Sequence, residues 1–153
     1  MRMEIEVEQI SKEDWRLMGE HAHRSTFAEK REAKDERIDF ALIAVLKKSN
    51  LILGYVTCRE VDSETVYWQY GGSFHDVRAS IHNFKAYCLM LDYCAERYKR
   101  MSTLIENTNR PMLKMAAKAG LLIVGVRNFK GKVLLEHGIE WEADQKIQKV
   151  GGQ

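Results

Sequence analysis

A chain of 153 residues, of which 45% are hydrophobic and 30% charged, is long enough to bury a core and too apolar to be disordered throughout. Its 24 basic and 22 acidic side chains leave a net charge of +2, so electrostatics gives no reason to expect nucleic acid or an anionic membrane as a partner. The N-terminal residues lack the apolar stretch of a signal peptide, and no segment has the length and apolarity of a membrane span. We therefore expect one soluble, cytoplasmic domain.

The cysteines and histidines form no metal-binding pattern in the sequence. Cys58, Cys88 and Cys94 are odd in number and include no C-x-x-C pair, which predicts reduced thiols that serve as small apolar core residues. The five histidines have no cysteine partners at the spacing of zinc ligands. The sequence therefore predicts no metal site.

The first elements in chain order are a strand and a helix. Residues 3–9 alternate between apolar and polar side chains, as a half-buried strand does. Ser11, with an acidic residue three positions later, is typical of a helix start. The side chains that this helix is expected to direct to the core are Trp15, Leu17 and Met18. Residues 29–37 carry dense charge of both signs and predict a solvated helix face or a connector.

Three strand patterns follow, separated by short polar turns. Residues 41–46 and 51–58 are apolar and rich in β-branched side chains, and the polar residues 47–50 join them. Residues 65–70 alternate again and are expected to stop at Gly71-Gly72. That glycine pair has two interpretations, a plain turn or a close approach of the strand backbone to a ligand, and the residues alone do not decide between them. Together the three strands predict an antiparallel meander.

Helix and strand patterns alternate in the second half of the chain. Apolar residues between Phe84 and Tyr98 form one stripe of a helix, and a short strand is predicted next. The only proline, Pro111, suits the first turn of a further helix, and Gly120 is a suitable residue to end it. The strands predicted in this half are 102–105, 121–126 and 132–137, and the turn 128–131 joins the last two.

This order of elements and one local pattern resemble the GNAT acetyltransferases. In that family a helix follows the fifth strand in the pattern N-x-x-A-(I/L)-x-x-Y-x-x-x-G-F. The matching positions lie within residues 106–127 and are Asn109, Met112, Leu113, Ala116, Gly120 and Leu121. The resemblance implies the α/β (α+β) class, with a mixed, mainly antiparallel central sheet of about seven strands and helices on both faces. The chain length fits a single GNAT-like domain over 1–140, and the polar composition of 141–153 predicts a C-terminal tail.

The resemblance further implies acetyl-CoA as cofactor, held by a loop of the pattern (Q/R)-x-x-G-x-(G/A) before a helix. The equivalent residues are Arg78, Ala79, Ser80, Ile81, His82 and Asn83. Arg78 would suit a phosphate, whereas Ile81 and Asn83 stand where the family has small residues that let the backbone approach the anion. Asn83 has the alternative role of helix N-cap. Further cofactor contacts are expected from Gln69, Gly71 and Asn109.

The catalytic residues that the resemblance suggests are Glu106 and Tyr70. Many family members place a tyrosine acid on the helix before the glycine, and that position is Ala116, which cannot transfer a proton. Glu106, at the end of the fifth strand, is the nearest carboxylate that could act as base through a water. His75 and His82 flank the cofactor loop and could serve as base or phosphate donor, although a surface histidine is usually neither.

Two functions stay open at this point. The first is an N-acetyltransferase that acts on a primary amine of a small molecule or peptide. The second is a catalytically degenerate GNAT-like domain with protein partners and a structural role. Residues 60–138 also resemble the acetyltransferase-like internal virion proteins of tailed bacteriophages, which would place the protein in a virion. The enzyme is named first because the fold most often carries one.

Overall fold

The structure is a computed structural model that describes residues 4–17, 37–73 and 81–141. Predictions that fall on other residues, including Met18, most of the charged segment 29–37 and the tail after Trp141, lie outside the described residues. The elements in chain order are β1 (Ile5–Ser11), α1 (12–17 as described), β2 (Phe40–Leu46), β3 (Leu51–Glu60), β4 (Thr65–Ser73), α2 (Ile81–Ala95), β5 (Arg100–Glu106), α3 (Arg110–Lys118), β6 (Leu122–Phe129) and β7 (Lys132–Glu140). This confirms the predicted order of strands and helices.

The seven strands form a mixed sheet in the order β1-β2-β3-β4-β5-β7-β6. The pairs β1/β2, β2/β3, β5/β7 and β6/β7 are antiparallel, and β4/β5 is parallel. The mixed, mainly antiparallel sheet of the prediction is thus confirmed. The place of β7 between β5 and β6 is a tertiary feature that the order of elements along the chain does not give.

The chain divides into two compact units, the first within Met1–Arg59 and Gln69–Tyr93. Its core forms around Trp15 and Tyr55, whose ring centroids are 5.0 Å apart, with Ile38, Ala41 and Ile43. Burying these apolar side chains is the main stabilising contribution to such a unit.

Helix α1 begins as predicted, but one of the side chains that was expected in the core is exposed to solvent. The Asp14 N–H donates to Ser11 Oγ at 3.1 Å, which confirms the N-cap. Trp15 is buried, as expected, whereas Leu17 is 88% exposed and its predicted core position is wrong. Residues two apart on a helix lie about 200° apart around its axis, so Trp15 and Leu17 cannot face the same core.

The second unit lies within Glu60–Trp68 and Cys94–Gln153 and contains β5, α3, β6 and β7. Helix α3 ends as predicted at Gly120, which has φ +94°. The Gly120 N–H donates to the Ala117 carbonyl, and the Leu121 N–H donates to the Ala116 carbonyl. These are the two hydrogen bonds of a Schellman motif.

The β6/β7 hairpin turns in two residues. Strand β6 ends at Phe129 and β7 begins at Lys132. The two residues between them, Lys130 and Gly131, have φ 49° and 79°. Positive φ at both central residues is the backbone of a type I′ turn, which matches the twist of the flanking strands. The turn is narrower than the predicted 128–131.

Helix α2 confirms the predicted apolar stripe in its main features. Tyr87, Leu91 and Cys94 are buried, whereas Lys85 and Asp92 are exposed. Ala86 and Met90 are also buried and widen the stripe beyond the prediction.

Candidate active site

Strand β4 carries the predicted site residues of the first unit, and it does not stop where the glycines begin. It runs to Ser73, so Gly71 and Gly72 are part of the strand and the predicted turn is wrong. The position that a Cβ of Gly54 would take is 2.9 Å from the Gly72 carbonyl oxygen. A Cβ on Gly71 would lie 3.2 Å from the Tyr55 carbonyl oxygen. The absence of a Cβ at these glycines therefore allows β3 and β4 to approach closely. This role differs from both interpretations of the glycine pair, a turn or a close approach to a ligand.

One threonine side chain bonds both backbone groups of Tyr70. The Tyr70 N–H donates to Thr57 Oγ1 at 3.1 Å, and the same hydroxyl donates to the Tyr70 carbonyl at 3.3 Å. Thr57 is buried, so this hydroxyl does what a backbone partner does in a regular ladder. The Tyr70 side chain is 37% exposed and is accessible for a catalytic role.

The neighbouring residue Gln69 presents a buried acceptor. Its side-chain oxygen is buried and has no hydrogen-bond partner in the part of the chain that the structure describes. Buried polar atoms in folded proteins are nearly always bonded, so one that lacks a protein partner suits a ligand donor. The contact between Gln69 and a cofactor stays a prediction.

The first turn of α2 is joined to the end of β4. The Ser73 hydroxyl donates to Asn83 Oδ1, so the last residue of the strand bonds the third residue of the helix. Because α2 is already helical at Ile81, the predicted N-cap role of Asn83 is wrong. A hydrogen bond to a residue distant in sequence holds the amide instead.

The charge of this first turn suits an anion. It contains no acidic residue, and the unpaired N–H groups of a helix N-terminus carry partial positive charge. His82 is half-buried in the same turn. The predicted contacts Arg78, Ala79 and Ser80, together with His75, lie outside the described residues, and only the backbone of Ile81 is described.

In the second unit, side-chain hydrogen bonds lie at the last residue pair of the parallel β4/β5 ladder. The β4/β5 pairing runs from Thr65 and Arg100 to Trp68 and Thr103. The Thr103 hydroxyl donates to the Trp68 carbonyl at 3.0 Å, and Trp68 Nε1 donates to Cys94 Sγ at 3.4 Å. These buried bonds fix Trp68 at the last residue pair of the ladder.

Glu106 and Asn109 lie together where β5 leads into α3. Glu106 is the half-buried last residue of β5, and its carbonyl accepts a hydrogen bond from the Asn109 N–H at 2.9 Å. Asn109 is the N-cap of α3, and its Oδ1 accepts a bond from the Met112 N–H at 3.4 Å. The cap explains an asparagine at this position. The predicted roles in catalysis and cofactor binding stay predictions.

Ala116 points away from any exposed surface. It is completely buried in α3, at the position where the family pattern has tyrosine. An alanine side chain cannot transfer a proton, so α3 offers no acid at this position.

Other classes of site have no candidate among residues 4–17, 37–73 and 81–141. No group of three or more His, Cys, Asp or Glu side chains there could hold a metal ion. The cysteines, all described, form no disulfide. None of the helices described has the length and apolarity to cross a bilayer.

Sequence comparison gives no relative. No protein-family model matches the chain, and no curated protein matches it. Solved structures do match the chain, and what they show is its fold, which several N-acetyltransferases share.

Three of the similar structures cover almost the whole chain. They are the ribosomal-protein-S18-alanine N-acetyltransferase from Escherichia coli (TM-score 0.73, 7% identity, 91% of this chain and 95% of that chain), mutant forms of the spermidine/spermine N-acetyltransferase from Vibrio cholerae (TM-score 0.70, 10% identity, 98% and 100%) and a GNAT-family acetyltransferase from Bacillus anthracis (TM-score 0.67, 12% identity, 92% and 97%). At these identities the likeness establishes the GNAT fold alone. These structures do not support the resemblance to bacteriophage virion proteins.

Proposed function

We propose that this protein is an acetyl-CoA-dependent N-acetyltransferase that transfers an acetyl group to a primary amine. The observation that carries the proposal is the bond between Ser73 and Asn83, which joins the end of β4 to the first turn of α2. That turn lacks acidic residues and begins a helix of 15 residues, an arrangement suited to an anionic ligand such as the pyrophosphate of acetyl-CoA.

The proposed binding residues are those of the first unit. Backbone N–H groups at the start of α2 would hold the pyrophosphate, with Arg78, Ala79, Ser80, Ile81, His82 and Asn83 as the predicted set. Gln69 Oε1 would accept a hydrogen bond from an amide N–H of the cofactor, because it is a buried acceptor without a described partner. Gly71 would contribute backbone to the same surface. When bound, acetyl-CoA supplies the acetyl group as an activated thioester.

Proton transfer is proposed for two side chains, each tested separately. Tyr70 carries an accessible phenol on β4 and would donate a proton to the departing thiolate. Glu106 would accept the amine proton through a water, since it is the carboxylate at the end of β5. Most of the rate would come from positioning of the amine and the thioester, because the tyrosine usual on the helix is absent.

Acetyl-CoA binding is the direct test. Thermal-shift and calorimetric titration should show a micromolar dissociation constant, and a ligand at about 100 times that concentration should add about 2.7 kcal/mol to the free energy of unfolding. Gln69→Met keeps the size of the side chain and removes the acceptor, so it should weaken binding about tenfold while the melting temperature without ligand stays close to wild type. Absence of any shift at millimolar acetyl-CoA would refute the proposal.

Catalysis is tested by release of free CoA with polyamine and peptide-amine acceptors. Glu106→Gln should lower kcat at neutral pH, because the amide cannot accept the amine proton. Glu140→Gln, on an exposed glutamate of β7, is the matched control and should leave kcat unchanged. Equal effects of the two substitutions would remove Glu106 from the mechanism.

A second function, a degenerate GNAT-like domain that acts through protein partners, is favoured by one observation. Ala116 is completely buried, so α3 offers no group for proton transfer at the position where the family has tyrosine. A protein that binds acetyl-CoA but releases no CoA above the uncatalysed rate with any acceptor would support this second function. Tyr70→Phe separates the two, because it lowers kcat only in an enzyme that uses the phenol.

A further inference from the structure

The Thr57 hydroxyl occupies both backbone groups of Tyr70 on the edge of β4 that faces β3. Its oxygen lies 3.1 Å from the Tyr70 nitrogen and 3.3 Å from the Tyr70 carbonyl oxygen. A hydroxyl can accept the first bond and donate the second at once, because it carries one O–H donor and two acceptor lone pairs. The Thr57 side chain is buried, so water has little access to these two bonds.

The two bonds fix the peptide units on both sides of Tyr70. No described peptide bond is cis, and a trans peptide unit directs its N–H and its C=O to opposite sides. The Tyr70 N–H points to Thr57, so the Gln69 carbonyl of the same peptide unit points away from β3. The Tyr70 carbonyl also points to Thr57, so the Gly71 N–H points away from β3 as well. One side chain thus sets the direction of an acceptor and a donor on the other edge of β4.

Contacts with β3 also restrain the donor residue, Gly71. A Cβ on Gly71 would lie 3.2 Å from the Tyr55 carbonyl oxygen and 3.5 Å from Val56 Cγ2, so β3 already fills the space beside it. Gly71 is nevertheless exposed to solvent. Its N–H is therefore a donor with a fixed direction on a residue that a ligand can reach.

A backbone N–H with a fixed direction suits a carbonyl oxygen that gains negative charge during a reaction. In the proposed transfer, that oxygen belongs to the acetyl group, since attack by the amine moves charge onto it. CoA without the acetyl group lacks this acceptor and otherwise offers the same groups to the protein. A donor that is directed at the acetyl group should therefore distinguish acetyl-CoA from CoA.

We propose that Thr57 is a positioning residue for the acetyl group, because its hydroxyl holds Tyr70 so that the Gly71 N–H donates to the acetyl carbonyl oxygen. This inference rests on the proposed acetyl-CoA-dependent function. It adds to that function a buried side chain of β3, which acts only through the backbone of β4. The role requires the hydroxyl and not the shape of the side chain.

The test compares the dissociation constants of acetyl-CoA and CoA by calorimetry. Wild type should bind acetyl-CoA about threefold to tenfold more tightly than CoA, which is the contribution of one hydrogen bond. Thr57→Val keeps the shape and removes the hydroxyl, so it should lose this preference and still bind CoA. Thr57→Ser retains the hydroxyl and should retain the preference. With an amine acceptor, kcat of Thr57→Val should fall about tenfold or more, because the acetyl group is no longer held in place.

Thr103→Val is the matched control. It removes another buried hydroxyl, which donates to the Trp68 carbonyl of β4 at 3.0 Å, and it leaves both backbone groups of Tyr70 bonded. A loss of stability would affect both valine variants, whereas only Thr57→Val should lose the preference for acetyl-CoA. Amide hydrogen exchange on wild type needs no variant, and acetyl-CoA should protect the Gly71 amide more than CoA does.

Four results would overturn the role of Thr57 and leave acetyl-CoA binding intact. They are equal affinity of wild type for the two ligands, a Thr57→Val protein that keeps the preference, a Thr103→Val protein that loses it as fully, and equal protection of Gly71 by both ligands. A wild type that binds neither ligand would refute the proposed function, and this inference with it.

Discussion

The buried hydroxyl of Thr57 accepts a hydrogen bond from the Tyr70 N–H at 3.1 Å and donates one to the Tyr70 carbonyl at 3.3 Å. A side chain of β3 thereby bonds the backbone of β4 next to the residues proposed to bind acetyl-CoA. Gln69, whose side-chain oxygen is buried, precedes Tyr70, and Gly71 follows it. The Thr57 hydroxyl therefore contributes to the geometry of this part of β4.

Thr57→Val should destabilise the fold by about 1–3 kcal/mol, because it leaves two backbone groups of Tyr70 without their hydroxyl partner and keeps the shape of the side chain. Urea unfolding followed by circular dichroism measures the change. Thr57→Ser retains the hydroxyl and should lose clearly less. A Thr57→Val protein that is as stable as wild type would mean that the two hydrogen bonds contribute nothing.

Gly54→Ala should destabilise by about 1–3 kcal/mol, since the new Cβ would meet the Gly72 carbonyl oxygen, which is backbone and cannot turn away. Its predicted distance from that oxygen is 2.9 Å. Gly125→Ala is the control, because the atom nearest to its Cβ, at 3.1 Å, is Oε1 of the Glu136 side chain, which can move. Urea unfolding midpoints of the two variants measure the loss of stability. Equal losses of stability in the two variants would contradict the close approach of β3 and β4.

Asn109→Ala should destabilise by about 1 kcal/mol through loss of the α3 N-cap, whereas Asn109→Asp should keep the cap and gain from the helix dipole. The pair also tests the predicted contact between Asn109 and the cofactor. If Asn109 contacts acetyl-CoA, the aspartate variant should bind it more weakly although its stability is retained. If a stable Asn109→Asp protein binds acetyl-CoA with unchanged affinity, Asn109 does not contact the cofactor and serves only as the N-cap.

Tyr87 should make the stability fall at alkaline pH. Burial raises the pKa of its phenol above the ordinary value of 10.0, with a smaller contribution from Cys88. The unfolded chain therefore loses this proton near pH 10 and the folded chain only at higher pH, so the contribution is complete below pH 10 and is lost as pH rises above it. Tyr87→Phe lacks the proton, and its free energy of unfolding should decline less steeply above pH 10.

Urea unfolding of wild type and Tyr87→Phe between about pH 8 and about pH 11 measures this difference. Absorbance of the tyrosinate provides a direct check, since one phenol of the folded wild type should fail to titrate with the others. Parallel stability curves for the two proteins would mean that Tyr87 is accessible to hydroxide in the folded state.

The local sequence determined most of the secondary structure, because its signals act over a few residues. Alternation over 3–9 and 65–70 gave β1 and most of β4, and the helical stripe between Phe84 and Tyr98 gave α2. Turn and cap chemistry placed Ser11 at the start of α1 and Gly120 at the end of α3. The GNAT spacing from Asn109 to Gly120 then led to the correct fold class.

The tertiary structure decided what depends on residues far apart in the chain. Gly71 and Gly72 lie in β4 because β3 approaches them, and no neighbour in sequence indicates this. Thr57 and Thr103 look like ordinary strand formers, and their bonds to Tyr70 and Trp68 join strands. Asn83 suits an N-cap by its residue type, whereas its hydrogen-bond partner, Ser73, lies ten positions earlier in the chain. Backbone preference and periodicity are local, whereas hydrogen-bond partners and burial exist only once distant segments have packed together.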